Sequence, residues 1–249
     1  MQKFLINNIT ITSLTINELK NIFIKILSTQ TNGVLLTTFN LDFLRIANKD
    51  DNFRYICQKS YLNLPDGYGI ISLIKKKYNT KINRITGNDI FPILLKLAKI
   101  NNYRLAIIGG RYEVASNIKS KLIKEYKFAS NNILILSPPY KFEDNNIQNK
   151  KVIKRTIEFR PDIVLVALGC PRQEKWLYKN MDSFGSKINV GIGATLDFYS
   201  GYKKRAPLLF QKFGIEWLWR LLNEPKRLFK RYIILDLPFF FRMIIKIRK

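Results

Sequence analysis

The sequence of 249 residues contains no histidine. That absence excludes an imidazole general base, Ser–His–Asp and Cys–His nucleophile pairs and any histidine-ligated metal. Cysteine is scarce: Cys57 and Cys170 are too few for a structural zinc site or a disulfide framework, and reduced thiols are the default. Neither a G-x-G-x-x-G fingerprint nor a Walker lysine pattern occurs, so neither common phosphate-cradling loop is present. Long apolar runs are missing too. The greasiest stretch, Tyr232 to Ile245, is interrupted by Asp236, Pro238 and Arg242 and falls short of the roughly 20 residues a membrane span needs. Near the start, Asn7 and Asn8 break a short apolar run, so no signal peptide is expected. Acid–base chemistry therefore falls mainly to the 18 carboxylates, with Lys, Tyr and Cys as substitutes.

What is abundant is positive charge. There are 43 Lys and Arg against 18 Asp and Glu, a net charge of +25 and a pI near 10.1. Lys, Ile and Asn are plentiful together, as an AT-rich coding sequence brings, so part of this charge needs no partner. The remainder points to anionic partners: phosphates, an acidic lipid surface or nucleic acid. With 47% apolar and 24% charged residues the chain has a globular composition, and its length is enough to bury a sizeable core.

Residues 1–200 alternate short Ile/Leu/Val-rich runs with helical patterns. Strands are expected at 34–39, 61–65, 104–109, 133–137, 162–169 and 188–193, with helices at 89–100, 113–127 and 171–181 between them. This order predicts an α/β fold, a parallel sheet flanked by helices and joined by right-handed crossovers, with ligands at the carboxyl ends of its strands. Residues 201–249 differ. They hold thirteen Lys or Arg, three Asp or Glu and ten aromatics, and no convincing strand. Two or three helices are expected there, punctuated at Pro207, Pro225 and Pro238, with Phe210, Phe213, Trp217, Leu218 and Leu221 on one face.

Strand ends gather the candidate residues. Thr38 and Asn40 end the first strong strand, and Pro65-Asp66-Gly67 ends the second. Spacing alone leaves Asp66 open between an Asp-Gly turn or cap and a carboxylate at the ligand edge. Gly109-Gly110 is either a bare phosphate turn or a plain tight turn. Arg172 and Gln173 start a helix and either reach a polar ligand or remain solvated. Arg84, ahead of Thr86-Gly87-Asn88-Asp89, suits a phosphate. None of the ten Asp residues forms the D-x-D pair with which many nucleotide-sugar transferases hold a divalent ion. Positive side chains would then have to neutralise a diphosphate, and the tail offers Arg220, Arg227, Lys230 and Arg231, each of which alone reads equally as solvated charge.

Read in order, these segments resemble the WecG/TagA/CpsF glycosyltransferases, family 26. The resemblance rests on T-x-N at 38–40, P-D-G-x-G at 65–69, R-x-T-G-x-D at 84–89, G-x-P-x-Q-E at 169–174, G-I-G-A-T-L-D-F at 191–198, R-A-P at 205–207 and E-W-L-W-R-L-L-N-E-P-K-R at 216–227. It implies a Rossmann-like core over 1–200 and a helical, membrane-associating appendage over 201–249. It implies an inverting, metal-independent transferase without cofactor, moving an N-acetylmannosamine-type sugar from UDP to a polyprenyl-diphosphate-linked N-acetylglucosamine. The uronic acid form or a hexose is the alternative donor. Asp66 would be the base. Thr38, Asn40, Arg84 and Gln173 would line the sugar-nucleotide pocket, and Arg220 and Arg227 would reach the diphosphate, with Lys230 or Arg231 as the third cation. The implied setting is cytoplasmic, peripheral on an anionic membrane surface, with no specific nucleic acid partner; a homo-oligomer is left open. Two rivals remain at this stage. A non-catalytic binder of acidic lipid or nucleic acid leaves the ordered strand-end residues unexplained, and a nicotinamide-dependent dehydrogenase wants the missing glycine fingerprint.

Overall fold

The computed structural model describes residues 1–29 and 33–248. It opens on a hairpin absent from the expectations above. Strands β1 (Gln2–Ile6) and β2 (Ile9–Ser13) are antiparallel, with Ile6 opposite Ile9. Asn7 and Asn8 make the two-residue turn at φ of 50° and 61°. Asn tolerates this left-handed region, and a turn with both central residues there matches the twist of the flanking strands. The pair that interrupts the apolar run is thus a turn, and the alternation in QKFLI and ITITS on either side is its signal.

Six strands build one parallel sheet: β3 (Val34–Phe39), β4 (Leu62–Pro65), β5 (Leu105–Gly109), β6 (Ile133–Leu136), β7 (Ile163–Ala167) and β8 (Ile188–Gly191), in spatial order β4-β3-β8-β7-β5-β6. The helices between them are α1 (Ile16–Thr29), α2 (Leu41–Ala47), α3 (Asp51–Lys59), α4 (Tyr68–Tyr78), α5 (Gly87–Asn101), α6 (Tyr112–Lys124), α7 (Asn146–Phe159) and α8 (Arg172–Phe184). The α/β sheet read from the sequence is the one observed. Its strands were legible because both faces are covered: β3, β4, β5 and β8 are buried at every position. From β3 the chain steps to β4 on one side, whereas β5 to β8 lie on the other. Thr38 faces Leu64 and Phe39 faces Pro65, so β3 and β4 end level, beside β8, where the strand order reverses and a ligand crevice is expected.

After β8 come α9 (Thr195–Tyr199), α10 (Leu208–Lys212), α11 (Glu216–Asn223) and α12 (Pro225–Phe229), then a π-helical stretch over Lys230–Asp236 and α13 (Leu237–Arg248). Two expectations for this region need correction. The apolar face from Phe210 to Leu221 is divided between α10 and α11 by Gly214, whose φ is 76°, and Phe213 at the break is exposed. Pro207 and Pro225 do open helices, but Pro238 lies inside a helical run from Pro225 to Arg248. There the Leu237 N–H donates to the Tyr232 carbonyl, five residues back. This wide turn accommodates Pro238, which has no N–H and would crowd a carbonyl four residues before it.

The long helix belongs to the core. Phe239 and Met243 are buried in an apolar cluster with Phe4 and Ile11 of the hairpin and Ile70 and Ile74 of α4. Each such side chain contributes about 1.5–3 kcal/mol by leaving water. No described helix is long and apolar enough to cross a membrane.

Candidate active site

A cleft of about 380 Å³ opens at the carboxyl ends of β3, β4 and β8, roofed by α11 and the π-helical stretch. Backbone bonds build its floor. The Asp66 N–H donates to the Phe39 carbonyl at 2.8 Å, which carries the ladder one residue past β4. The Ile85 N–H donates to the Pro65 carbonyl at 3.0 Å and draws the Arg84–Thr86 loop alongside. Thr38 is buried at the end of β3. Asn40 caps α2, its side-chain oxygen accepting from the Phe43 N–H at 3.1 Å. Asp89 receives both the N–H and the hydroxyl of Thr86, at 2.8 and 2.7 Å, so its carboxylate serves the start of α5. Ile192, Ala194 and Thr195, after β8, complete the lining.

Among the described residues, the Asp66 carboxylate accepts no side-chain hydrogen bond and belongs to no ion pair. Burial, partly offset by Arg84, pushes its carboxyl up to about 6, with Glu216 and Asp89 adding to the rise and Arg220 opposing it. A lone carboxylate with its lone pairs turned to a cleft and its proton affinity near neutral suits a general base.

The cations around the cleft divide into engaged and disengaged. Arg84 pairs with Glu216 at 3.2 Å and stacks over the Tyr68 ring at 5.4 Å. Arg231 lines the cleft but contacts Asp42 at 3.0 Å and Asp236 at 3.6 Å. Arg45 completes this cluster, reaching Asp236 at 2.7 Å and also Asp42. Arg220 differs in forming no ion pair among the described residues; its Nε, like that of Arg231, is buried without a hydrogen-bond partner there. An uncompensated guanidinium facing a lone carboxylate leaves room for an anion.

The structure thus brings Thr38, Asn40, Asp66, Arg84, Arg220 and Arg231 to one cleft. Gln173, Arg227 and Lys230 lie outside its lining. Gln173 is buried: its oxygen accepts from the Gly169 N–H at 3.1 Å and its amide donates to Glu174 at 2.7 Å. It packs on Gly191, one residue before the lining, where an added Cβ would come within 2.5 Å of it. Arg227 is exposed and paired with Glu224 at 2.8 Å, and Lys230 is exposed. Arg172 turns to Glu143 and stacks over Tyr140 at 4.7 Å. Gly109 and Gly110 are not part of the cleft. Sequence reasoning missed Asp42, Tyr68 and Glu216. Glu216 opens the last quoted motif, Tyr68 fills the open position of P-D-G-x-G and Asp42 lies two residues past Asn40, but which way a helix turns them depends on tertiary packing. Among the described residues no three carboxylate or thiol side chains converge in the manner of a metal site.

Comparison with known proteins identifies the family. The chain is 29% identical over 223 residues to the N-acetylglucosaminyldiphosphoundecaprenol N-acetyl-beta-D-mannosaminyltransferase of Staphylococcus aureus strain MRSA252, covering 88% of this chain and 82% of that one. It is 28% identical over the same length and shares to the proteins of that name from strains MW2 and NCTC 8325 / PS 47. The family model of the WecG/TagA/CpsF glycosyl transferases matches residues 4–249. Spanning all but the first three residues, that match sets aside the non-catalytic binder and the dehydrogenase: the chain belongs to the WecG/TagA/CpsF glycosyltransferase family and is an enzyme of that class.

Proposed function

We propose that this enzyme transfers an N-acetylmannosamine-type sugar from UDP to a polyprenyl-diphosphate-linked N-acetylglucosamine, with inversion and without a metal, in surface polysaccharide or teichoic acid synthesis. The observation that carries this reading is the lone Asp66 carboxylate facing the acid-free guanidinium of Arg220 in one cleft. Asp66 takes the proton of the acceptor hydroxyl, whose oxygen attacks the anomeric carbon. The bond from that carbon to UDP breaks, and its electron pair leaves on the β-phosphate. Arg220 and the remaining donors of Arg84 face the charge that develops there, and in a partly desolvated cleft such donors act strongly. Thr38 and Asn40 line the sugar side, and Gln173 braces the floor behind β8. One carboxylate and one direct displacement give inversion.

The relatives' name supports the acceptor and the sugar class. N-acetylmannosaminuronic acid and a hexose are the alternative donors. Arg227 and Lys230, with the exposed Leu208, Leu209, Phe213 and Phe241, suit a protein lying on the anionic inner face of a membrane that holds the lipid acceptor. The test incubates the enzyme with a panel of UDP-sugars and a short-chain polyprenyl-diphosphate N-acetylglucosamine and reads the product by mass. An added N-acetylhexosamine from UDP-N-acetylmannosamine is expected; transfer from none of the donors refutes the reading.

A further inference from the structure

We propose that Glu216 is a positioning residue for the transfer: from the appendage it fixes the Arg84 guanidinium at the cleft wall beside Asp66. This role rests on the function proposed above.

Arg84 and Glu216 come from distant parts of the chain, the loop before α5 and the first turn of α11. Their 3.2 Å contact is shielded, with side chains only 19% and 16% exposed. Glu216 accepts from one Nη of Arg84, so most of the five guanidinium donors stay available to a ligand. Behind the guanidinium lies the Tyr68 ring, whose hydroxyl donates to the Gln211 carbonyl at 2.9 Å. The ring abuts Gly214, where an added Cβ would fall 2.7 Å from it. Arg84 is therefore held between a carboxylate and an aromatic face, and the approach of α11 is set within the same few residues. A side chain with four rotatable bonds would otherwise lose considerable freedom on meeting a diphosphate.

The Glu216 charge also bears on the base. Asp66 is faced by Arg84 from the loop, by Asp89 from α5 and by Glu216 and Arg220 from α11. Arg84 and Arg220 favour its ionised form, whereas Glu216 and Asp89 oppose it. Glu216 thus offsets part of the pull of the two cations on Asp66, whose proton affinity is raised mainly by burial.

The experiment compares wild type, Glu216→Ala and Glu216→Gln in the full chain, each checked by circular dichroism and thermal melting. Donor KM, kcat and the pH–rate profile are measured with UDP-N-acetylmannosamine. The Asp66 carboxyl is titrated by ¹³C NMR without substrate, its signal identified with Asp66→Asn. Glu216→Ala should raise donor KM by roughly tenfold, the worth of one charge-assisted hydrogen bond. Glu216→Gln, which keeps an acceptor for Arg84, should restore KM. It should move both the acid limb of the profile and the NMR titration to lower pH, a shift that a merely structural role would not give. A fall in KM in both variants would make Glu216 a competitor for the donor's site and overturn the role. An unchanged KM with an unchanged limb would overturn it as well. A wild-type enzyme that transfers nothing refutes the underlying function, which separates the two failures.

Discussion

Asp236→Ala tests how the long C-terminal helix is fixed to α2. Asp236 is buried and holds Arg45 at 2.7 Å; Arg231 contacts it at 3.6 Å and Asp42 at 3.0 Å. Side-chain exposures are 9% for Asp236, 7% for Asp42, 14% for Arg45 and 30% for Arg231. Burial, the largest influence, raises the affinity of Asp236 for a proton despite both arginines. The cluster therefore yields little net stability over an apolar equivalent, but removing one member is costly. Without Asp236, two guanidinium groups share the single carboxylate of Asp42. Breaking a buried pair costs about 3–5 kcal/mol, and the partial exposure of Arg231 reduces this to about 2–3 kcal/mol. Set against a total of about 5–15 kcal/mol, the variant should fold but melt distinctly earlier. Phe239 and Met243 still anchor the helix. Urea denaturation of Asp236→Ala, with Asp236→Leu/Arg45→Met beside it, measures both halves of the argument. The double variant should recover most of the loss, because Arg231 keeps Asp42 and two apolar side chains replace a desolvated pair. A loss under about 1 kcal/mol in the single variant, or a double variant no better than it, would refute the reasoning.

Four further outcomes are expected. Asp66→Asn should keep the fold and UDP binding but lower turnover by roughly 10²–10⁴-fold, the worth of a positioned base. Because the base acts ionised and its carboxyl sits at about 6, wild-type turnover should rise with pH through that value and fall away below it; a profile flat from pH 5 to 8 would place the base elsewhere. Arg220→Ala should lose roughly 10²-fold in turnover on a soluble short-chain acceptor while keeping its binding to anionic vesicles, so an unimpaired variant would strike Arg220 from the site. The point substitution is cleaner than cutting at Gly201, which would strip Phe239 and Met243 from the core they share with the hairpin and α4. Turnover should survive excess EDTA, and a loss restored by Mg²⁺ would show that arginines alone do not carry the leaving charge.

The sheet was legible because parallel strands covered on both faces need unbroken apolar runs, and such runs stand out in a sequence this rich in polar residues. Asp66 was legible as a strand-end residue, but the lack of a side-chain partner for its carboxylate among the described residues was not, since that depends on what the Arg84 loop and α11 leave open. The tail's arginines show the limit most clearly. Arg220, Arg227 and Arg231 read alike as basic positions, yet one is orphaned in the cleft, one is exposed and paired with Glu224, and one is tied to Asp42, which lies almost 190 residues earlier. Long-range pairing of this kind leaves no periodic trace. The hairpin escaped for a local reason: Asn-Asn interrupts an apolar run and makes a tight turn with the same two residues.

The contact between Gly214 and Tyr68 gives the cleft a fixed aperture. The roof carries Glu216 and Arg220 and the floor carries Asp66, so on the proposed transfer the span between Asp66 and Arg220 is the distance across which a sugar and its leaving phosphate would have to fit. That span depends on a missing methyl group: at φ of 76°, with the ring where a Cβ would stand, the backbone just before α11 rests directly on the Tyr68 ring. A side chain there would act as a shim, lifting both charged residues of the roof together and leaving every group that touches substrate chemically intact. On the function proposed above, reach would thus be set apart from the chemistry, by a glycine that brings no side chain to the cleft it lines.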